Sequence, residues 1–147
     1  MIPDNDMNYE NYEDDDEDED IAEEFEISAG PSLTYAMNPE RNIFVGKADD
    51  AEAVQQAVLK ILNTERYEHE IYSWDYGVEF ADLYGAPMPY AMSEVKQRIT
   101  EALLRDDRIE SVDGFAIELS GKRSLHVAFT VSTKQGDEFE SEREVVV

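Results

Sequence analysis

Apolar residues recur along this chain in two periods, and the change of period marks out its elements. Val54, Ala57, Val58, Ile61 and Leu62 follow the three-and-four spacing of one helical face. Asp49 stands just before them with Glu52 three residues on, the arrangement of a capping box, which predicts a helix over about 50–65. Val95, Ile99, Ala102 and Leu103 repeat the pattern, with Glu94, Lys96, Gln97, Arg98 and Glu101 turned to water. Ser93 is a favourable cap, so a second helix is predicted over about 93–105. The preceding "LYGAPMPY" holds Gly85, Pro87 and Pro89 and is expected to be a loop.

Elsewhere the period is two. "SLTYAM" and "NIFVG" are short strand candidates on either side of the turn "NPER". "GFAIEL" sends Phe115, Ile117 and Leu119 to one face; "SLHVAFTV" does the same with Leu125, Val127, Phe129 and Val131, and "SGKR" between them reads as a hairpin connection. After the turn "KQGD", Phe139, Ser141, Arg143, Val145 and Val147 alternate with Glu138, Glu140, Glu142 and Glu144. The implied fold class is α+β: two helices on a small, mostly antiparallel sheet, with a C-terminal three-stranded meander. Its last strand, polar in the middle and apolar at the end, is expected to be an exposed edge, open to strand addition by other chains.

Charge changes this picture at the N-terminus. The 147 residues hold 12 Lys+Arg against 36 Asp+Glu, a formal charge of -24. Residues 1–26 carry 14 of those acids and no Lys or Arg, which leaves 22 acids against 12 bases in the rest. A segment containing "EDDDEDED" repels itself and has little to bury, so 1–27 is expected to be a disordered acidic arm and 28–147 the folded domain. Such an arm solvates the chain or docks on a basic partner, with Met7, Tyr9 and Tyr12 as small anchors. The excess of carboxylates argues against nucleic acid as a partner. No apolar run approaches the roughly 18 residues of a membrane helix, and the start lacks a signal-peptide pattern. A soluble product of the cytoplasm is expected.

The candidate chemistry lies in "RYEHEIYSWDYGVEF", which mixes Tyr67, Tyr72, Trp74, Tyr76 and Phe80 with Glu68, Glu70, Asp75 and Glu79. Rings beside paired carboxylates suit glycoside cleavage. With so many acids in the chain, though, nothing singles out one pair. The competing reading makes Ile71, Tyr72 and Trp74 a strand or turn packed on the first helix. Tyr72, Trp74 and Tyr76 then form a packed corner, with one ring left outward as a candidate subunit contact. His69 and His126 are too far apart to suggest zinc, and there is no cysteine, phosphate loop or nucleophile motif. No metal, cofactor or catalytic residue is expected.

"AVLKILNTERYEHEIYSWDYGVEFADLYG" and, further on, "ITEALLRDDRIESVDGF" resemble the XkdS-like proteins of PBSX-type prophages. These belong to the baseplate-wedge and sheath-initiator family of contractile tails, some of which carry an old lysozyme-like label. The resemblance runs from about residue 32 to the end and leaves the acidic arm aside. It implies a structural role in the baseplate of a phage tail or tail-like bacteriocin particle, in six copies. The implied partners are the sheath protein, baseplate wedge proteins and tail tube or tube-initiator proteins, with no nucleic acid or membrane. On this reading the protein is made in the bacterial cytoplasm and incorporated into the baseplate.

The resemblance also suggests sites. The last strand, formed by Glu138, Phe139, Glu140, Ser141, Glu142, Arg143, Glu144, Val145, Val146 and Val147, would template the first sheath ring. Removing it is expected to leave a soluble chain that cannot nucleate sheath. The family's Glu-Pro-Arg motif falls on Asp106, Asp107 and Arg108, which would anchor the wedge; the acid is shorter and the proline is replaced. Arg108→Ala is accordingly expected to impair incorporation more than folding, whereas an arginine merely favoured by the helix end would affect both alike. The alternative functions are a tail-associated peptidoglycan-cleaving lysozyme, which needs an acid/base pair with one raised pKa, and an acidic adaptor acting through its arm.

Overall fold

A computed structural model describes residues 32–147. The acidic arm 1–27 and the first residues of the proposed domain, 28–31, lie outside the described residues. In chain order the elements are β1 (Thr34–Asn38), β2 (Ile43–Ala48), α1 (Asp50–Leu62), a short 3-10 turn (Ala81–Leu83), α2 (Met88–Leu103), β3 (Ile109–Leu119), β4 (Ser124–Thr133) and β5 (Glu138–Val146). β1 and β2 form a two-stranded antiparallel hairpin, and β3-β4-β5 the expected antiparallel meander. The class is α+β.

α1 starts where Asp49 caps it: the Asp50 N–H donates to the Asp49 carboxylate at 2.9 Å, and the Ser32 hydroxyl donates to it at 2.7 Å. Among the described residues Glu52 makes no return bond, so the cap works through Ser32 rather than through a capping box. The helix ends at Leu62, where Asn63 caps it: its side-chain amide joins its backbone N–H on the Leu59 carbonyl.

α2 starts five residues before the expected Ser93. Pro89 sits in the first turn, where its missing N–H has no intrahelical partner to lose, and Pro87 precedes the helix. The proline that looked like a loop marker is a helix start. Ser93 lies inside the helix, its hydroxyl donating to the Tyr90 carbonyl at 2.8 Å.

The core lies between the helices and one face of the meander. Val58, Ile61, Ala91, Val95, Ile99 and Leu103 meet Leu125, Val127, Phe129 and Val131, every second residue of β4. β3 is longer than the sequence suggests. It holds two extra residues relative to β4, one between Ile109 and Ser111 and one between Asp113 and Ala116. Each extra residue flips the inward parity, so buried Ile109 and Val112 and half-buried Phe115 and Ile117 all reach one face although their numbering does not alternate. Leu119, predicted to face inward, is exposed at the end of the strand.

Candidate assembly interface

β5 pairs with β4 from Glu138↔Ser132 to Val146↔Ser124 through nine consecutive residues without a register shift. Backbone polar groups alternate sides along an antiparallel strand. The Val147 N–H donates to the Arg123 carbonyl at 2.8 Å, and the Thr133 N–H to the Asp137 carbonyl at 2.8 Å. This parity turns the odd residues of β5 toward β4. The N–H and C=O groups of Glu138, Glu140, Glu142, Glu144 and Val146 point away, and no strand pairs with them among the described residues. These five side chains are all exposed.

The other strand edges are interrupted. β3 bears its two bulges. In the hairpin, the Gln56 side chain accepts from the Met37 N–H at 2.7 Å and donates to the Tyr35 carbonyl at 2.8 Å, taking the outer groups of β1 as a neighbouring strand would. β2 is irregular where Gly46 adopts φ 78°, a conformation that side chains resist.

The inner face of β5 belongs to the core. Val145 and Val147 are 2% and 0% exposed, and Phe139 packs against the same cluster. Deleting 138–147 would uncover β4 and remove buried side chains worth roughly 1.5–3 kcal/mol apiece. Truncation is therefore expected to destabilise the domain as well as remove the edge, so it would not isolate a templating role. On the outer face the glutamates are tied to β4 and its turn: Ser120 donates to Glu144 at 3.1 Å, Ser132 donates to Glu138 at 3.4 Å, and His126 Nε2 lies 3.2 Å from Glu142.

Asp106, Asp107 and Arg108 form the joint between α2 and β3. Arg108 Nε and Nη2 donate to the two Asp106 carboxylate oxygens at 2.8 and 2.6 Å, and the Arg108 N–H adds a third bond at 3.1 Å. Burial pushes the Asp106 carboxyl up, yet its bonds to Arg108 and the cation's charge together hold it below the usual carboxylate range. One edge of the guanidinium fork is thus already filled from within the chain. Asp107 is exposed.

The aromatic stretch is a loop stapled at its base. Buried Arg66 donates from Nε and Nη2 to the Gly77 carbonyl at 3.2 and 3.1 Å, while the Arg66 and Val78 N–H groups close the ring at 3.1 and 3.0 Å. Glu65 accepts from the Phe80 and Ala81 N–H groups, both at 2.9 Å. Gly77, at φ 95°, has no room for a side chain, since a Cβ there would lie 2.5 Å from the Thr64 carbonyl oxygen. Tyr72 and Tyr76 stack with centroids 4.6 Å apart, and half-buried Tyr76 packs on the core. Trp74 stands apart at 71% exposed, with the Arg105 guanidinium 5.8 Å from its ring centroid. Ile71 is 87% exposed. Ile71, Tyr72 and Trp74, expected to pack on the first helix, are all exposed; of the corner Tyr72, Trp74 and Tyr76, only Tyr76 packs on the core, with Tyr72 stacked on it and Trp74 outward.

The staple residues Glu65, Arg66 and Gly77 were not singled out by the sequence reading. A basic residue and a glycine framing an acidic aromatic run were the available signal. In this stretch the Ser73 hydroxyl, helped by a backbone N–H and Arg105, holds the Asp75 carboxyl low, and just beyond it the Arg98 guanidinium holds the Asp82 carboxyl low. Both shifts favour the ionised form, opposite to what a glycosidase proton donor needs.

Residues 33–136, from just before β1 to the β4–β5 turn, match the contractile injection system sheath initiator family. The chain belongs to that family. It is also 37% identical over 122 residues to the phage-like element PBSX protein XkdS of Bacillus subtilis (strain 168), a match covering 80% of this chain and 85% of that protein. The family is a structural one, and membership gives this sheath initiator a role with the sheath and baseplate of a contractile system. The family match stops at Gly136, so β5 lies beyond it. No helix among the described residues is long and apolar enough to cross a membrane.

Proposed function

We propose that β5 is the template on which the first sheath ring forms, an extended arm of a sheath subunit adding to its outer edge. The observation that carries this reading is the unbroken register of β5 beside three interrupted edges. Each backbone bond made there contributes only about 1 kcal/mol net. A ladder of several such bonds, formed without reorganising the edge, offsets the cost of ordering an arm. The exposed glutamates discourage uncharged or acidic strands and favour an arm carrying Lys or Arg.

Within the same proposal, the Asp106–Asp107–Arg108 joint sits against the baseplate wedge through exposed Asp107 and the unfilled edge of Arg108. Exposed Trp74, near the Tyr72–Tyr76 stack in sequence, contacts a neighbouring subunit. Six copies would surround the tube and its initiator, and synthesis in the bacterial cytoplasm would precede incorporation into the particle.

A proline pair tests the template. The Glu140 N–H points outward, so Glu140→Pro removes a donor only from the open edge; the Ser141 N–H points to β4, so Ser141→Pro breaks the sheet. Glu140→Pro should keep the thermal midpoint within a few degrees while electron micrographs show baseplates and tubes without sheath. Ser141→Pro should lower stability by about 1–3 kcal/mol. Normal sheaths on Glu140→Pro particles would defeat the proposal.

A further inference from the structure

On the inner side of Arg143 lies a second surface that strand addition does not use. The hairpin turn, the C-terminal half of α1 and Tyr72 enclose an open groove of about 690 Å³. Ile43, Phe44, Leu59 and Tyr72 give it an apolar lining, and Lys60 and Arg143 supply cations. Phe44 is 68% exposed, and the other three are at least one-third exposed. No Asp or Glu lines it, in a chain holding 36 of them. The Arg143 guanidinium donates to the Asn63 side-chain oxygen, and its Nε–H is buried without an acceptor among the described residues. The groove therefore lacks what a segment of carboxylates interleaved with rings would bring: acceptors for the two cations and apolar groups for the lining.

The chain carries such a segment. Residues 1–26 combine 14 acids with Met7, Tyr9, Tyr12, Ile21 and Phe25. We propose that the acidic N-terminal segment of the same chain occupies this groove, its carboxylates on Lys60 and Arg143 and one or two of its apolar side chains against Phe44 and Leu59. The reach is sufficient. Ser32 is bonded to Asp49 at the start of α1, and Lys60 lies ten residues along that helix, about 15 Å away. The eleven residues 21–31 can span at most about 40 Å, enough to bring the acidic run 13–20 to the groove. The tether makes the encounter intramolecular, at millimolar effective concentration. Occupancy would bear on a residue of β5 itself, through Arg143.

Zero-length carbodiimide coupling on the full chain at low protein concentration tests this, because it joins an amine only to a carboxylate in contact with it. Lys60 should couple to acids within 1–26 about tenfold more than Lys47, Lys96, Lys122 or Lys134, the gain expected of a seated rather than diffusing tether. The excess should fall in Arg143→Glu and in Phe44→Ser, the second an exposed position where the fold has little to lose. It should vanish at about 1 M salt, where the screening length is about 3 Å. Equal coupling at all five lysines, or none at Lys60, would overturn the proposal. Coupling between chains that rises with concentration would overturn it in favour of a neighbouring copy's segment.

Discussion

The two outer edges of the meander flank the same central strand, and register separates them more than composition does. β3 carries two extra residues against β4 and is kinked twice; β5 runs straight through nine pairs. Bulges twist an edge away and misplace its donors, so β3 is closed to an incoming strand even though it exposes Leu119 and Ala116. β5 carries four exposed glutamates and stays geometrically open. Hydrophobicity alone would point to β3, whereas regularity points to β5, the edge proposed above as the template.

The largest expected effect tests whether the edges belong to one cooperative unit. Phe129, 2% exposed on β4 and stacked on Phe115 at 5.4 Å, lies beneath both. Phe129→Ala should cost about 3–5 kcal/mol. Hydrogen exchange should then rise in parallel over Ile109–Leu119 and Glu138–Val146. Faster exchange in β5 alone would mean that the edges melt separately.

A smaller effect is expected at the start of β3. The Asp106 side chain is only 11% exposed, so Arg108→Ala strands a carboxylate and should cost about 1–3 kcal/mol at pH 7. The expectation that incorporation suffers more than folding therefore has to be read against this folding cost. The folded Asp106 carboxyl sits below its unfolded value, so the contribution is complete above about pH 4. It is lost as pH falls through the lower folded value. Denaturant midpoints of the wild type and Arg108→Ala should therefore differ at pH 7 and converge at low pH. A constant gap down to pH 2 would show that the guanidinium acts by packing alone.

The smallest effect isolates the charge on the open edge. Glu140→Gln should change stability by less than about 0.5 kcal/mol while flattening the salt dependence of sheath addition. An unchanged salt slope would remove charge from the account and leave geometry by itself.

Much of the fold was legible because its periods are clean. The stripe from Val54 to Leu62 and the alternations of β4 and β5 each predicted an element to within a few residues. The start of α2 was misread because Pro89 is forbidden inside a helix and welcome in its first turn. The first half of β3 was missed because two bulges broke the alternation on which a strand is recognised. The aromatic corner was legible in composition and not in placement. What holds it is a buried arginine on a carbonyl, a contact between Arg66 and Gly77 that no short motif announces. The edge character of β5 was readable from its pattern, whereas its standing as the one regular edge among the described residues depended on Gln56 and on the bulges elsewhere.

The row of glutamates on β5 has one more consequence. Two copies of this chain meeting edge to edge would set Glu138, Glu140, Glu142 and Glu144 of each beside those of the other, and like charges placed across a strand pair oppose pairing. An edge proposed to accept a basic arm is thereby disfavoured as a partner for a second copy of itself. On that proposal the seed resists seeding upon itself, and growth would begin where a different chain supplies the next strand.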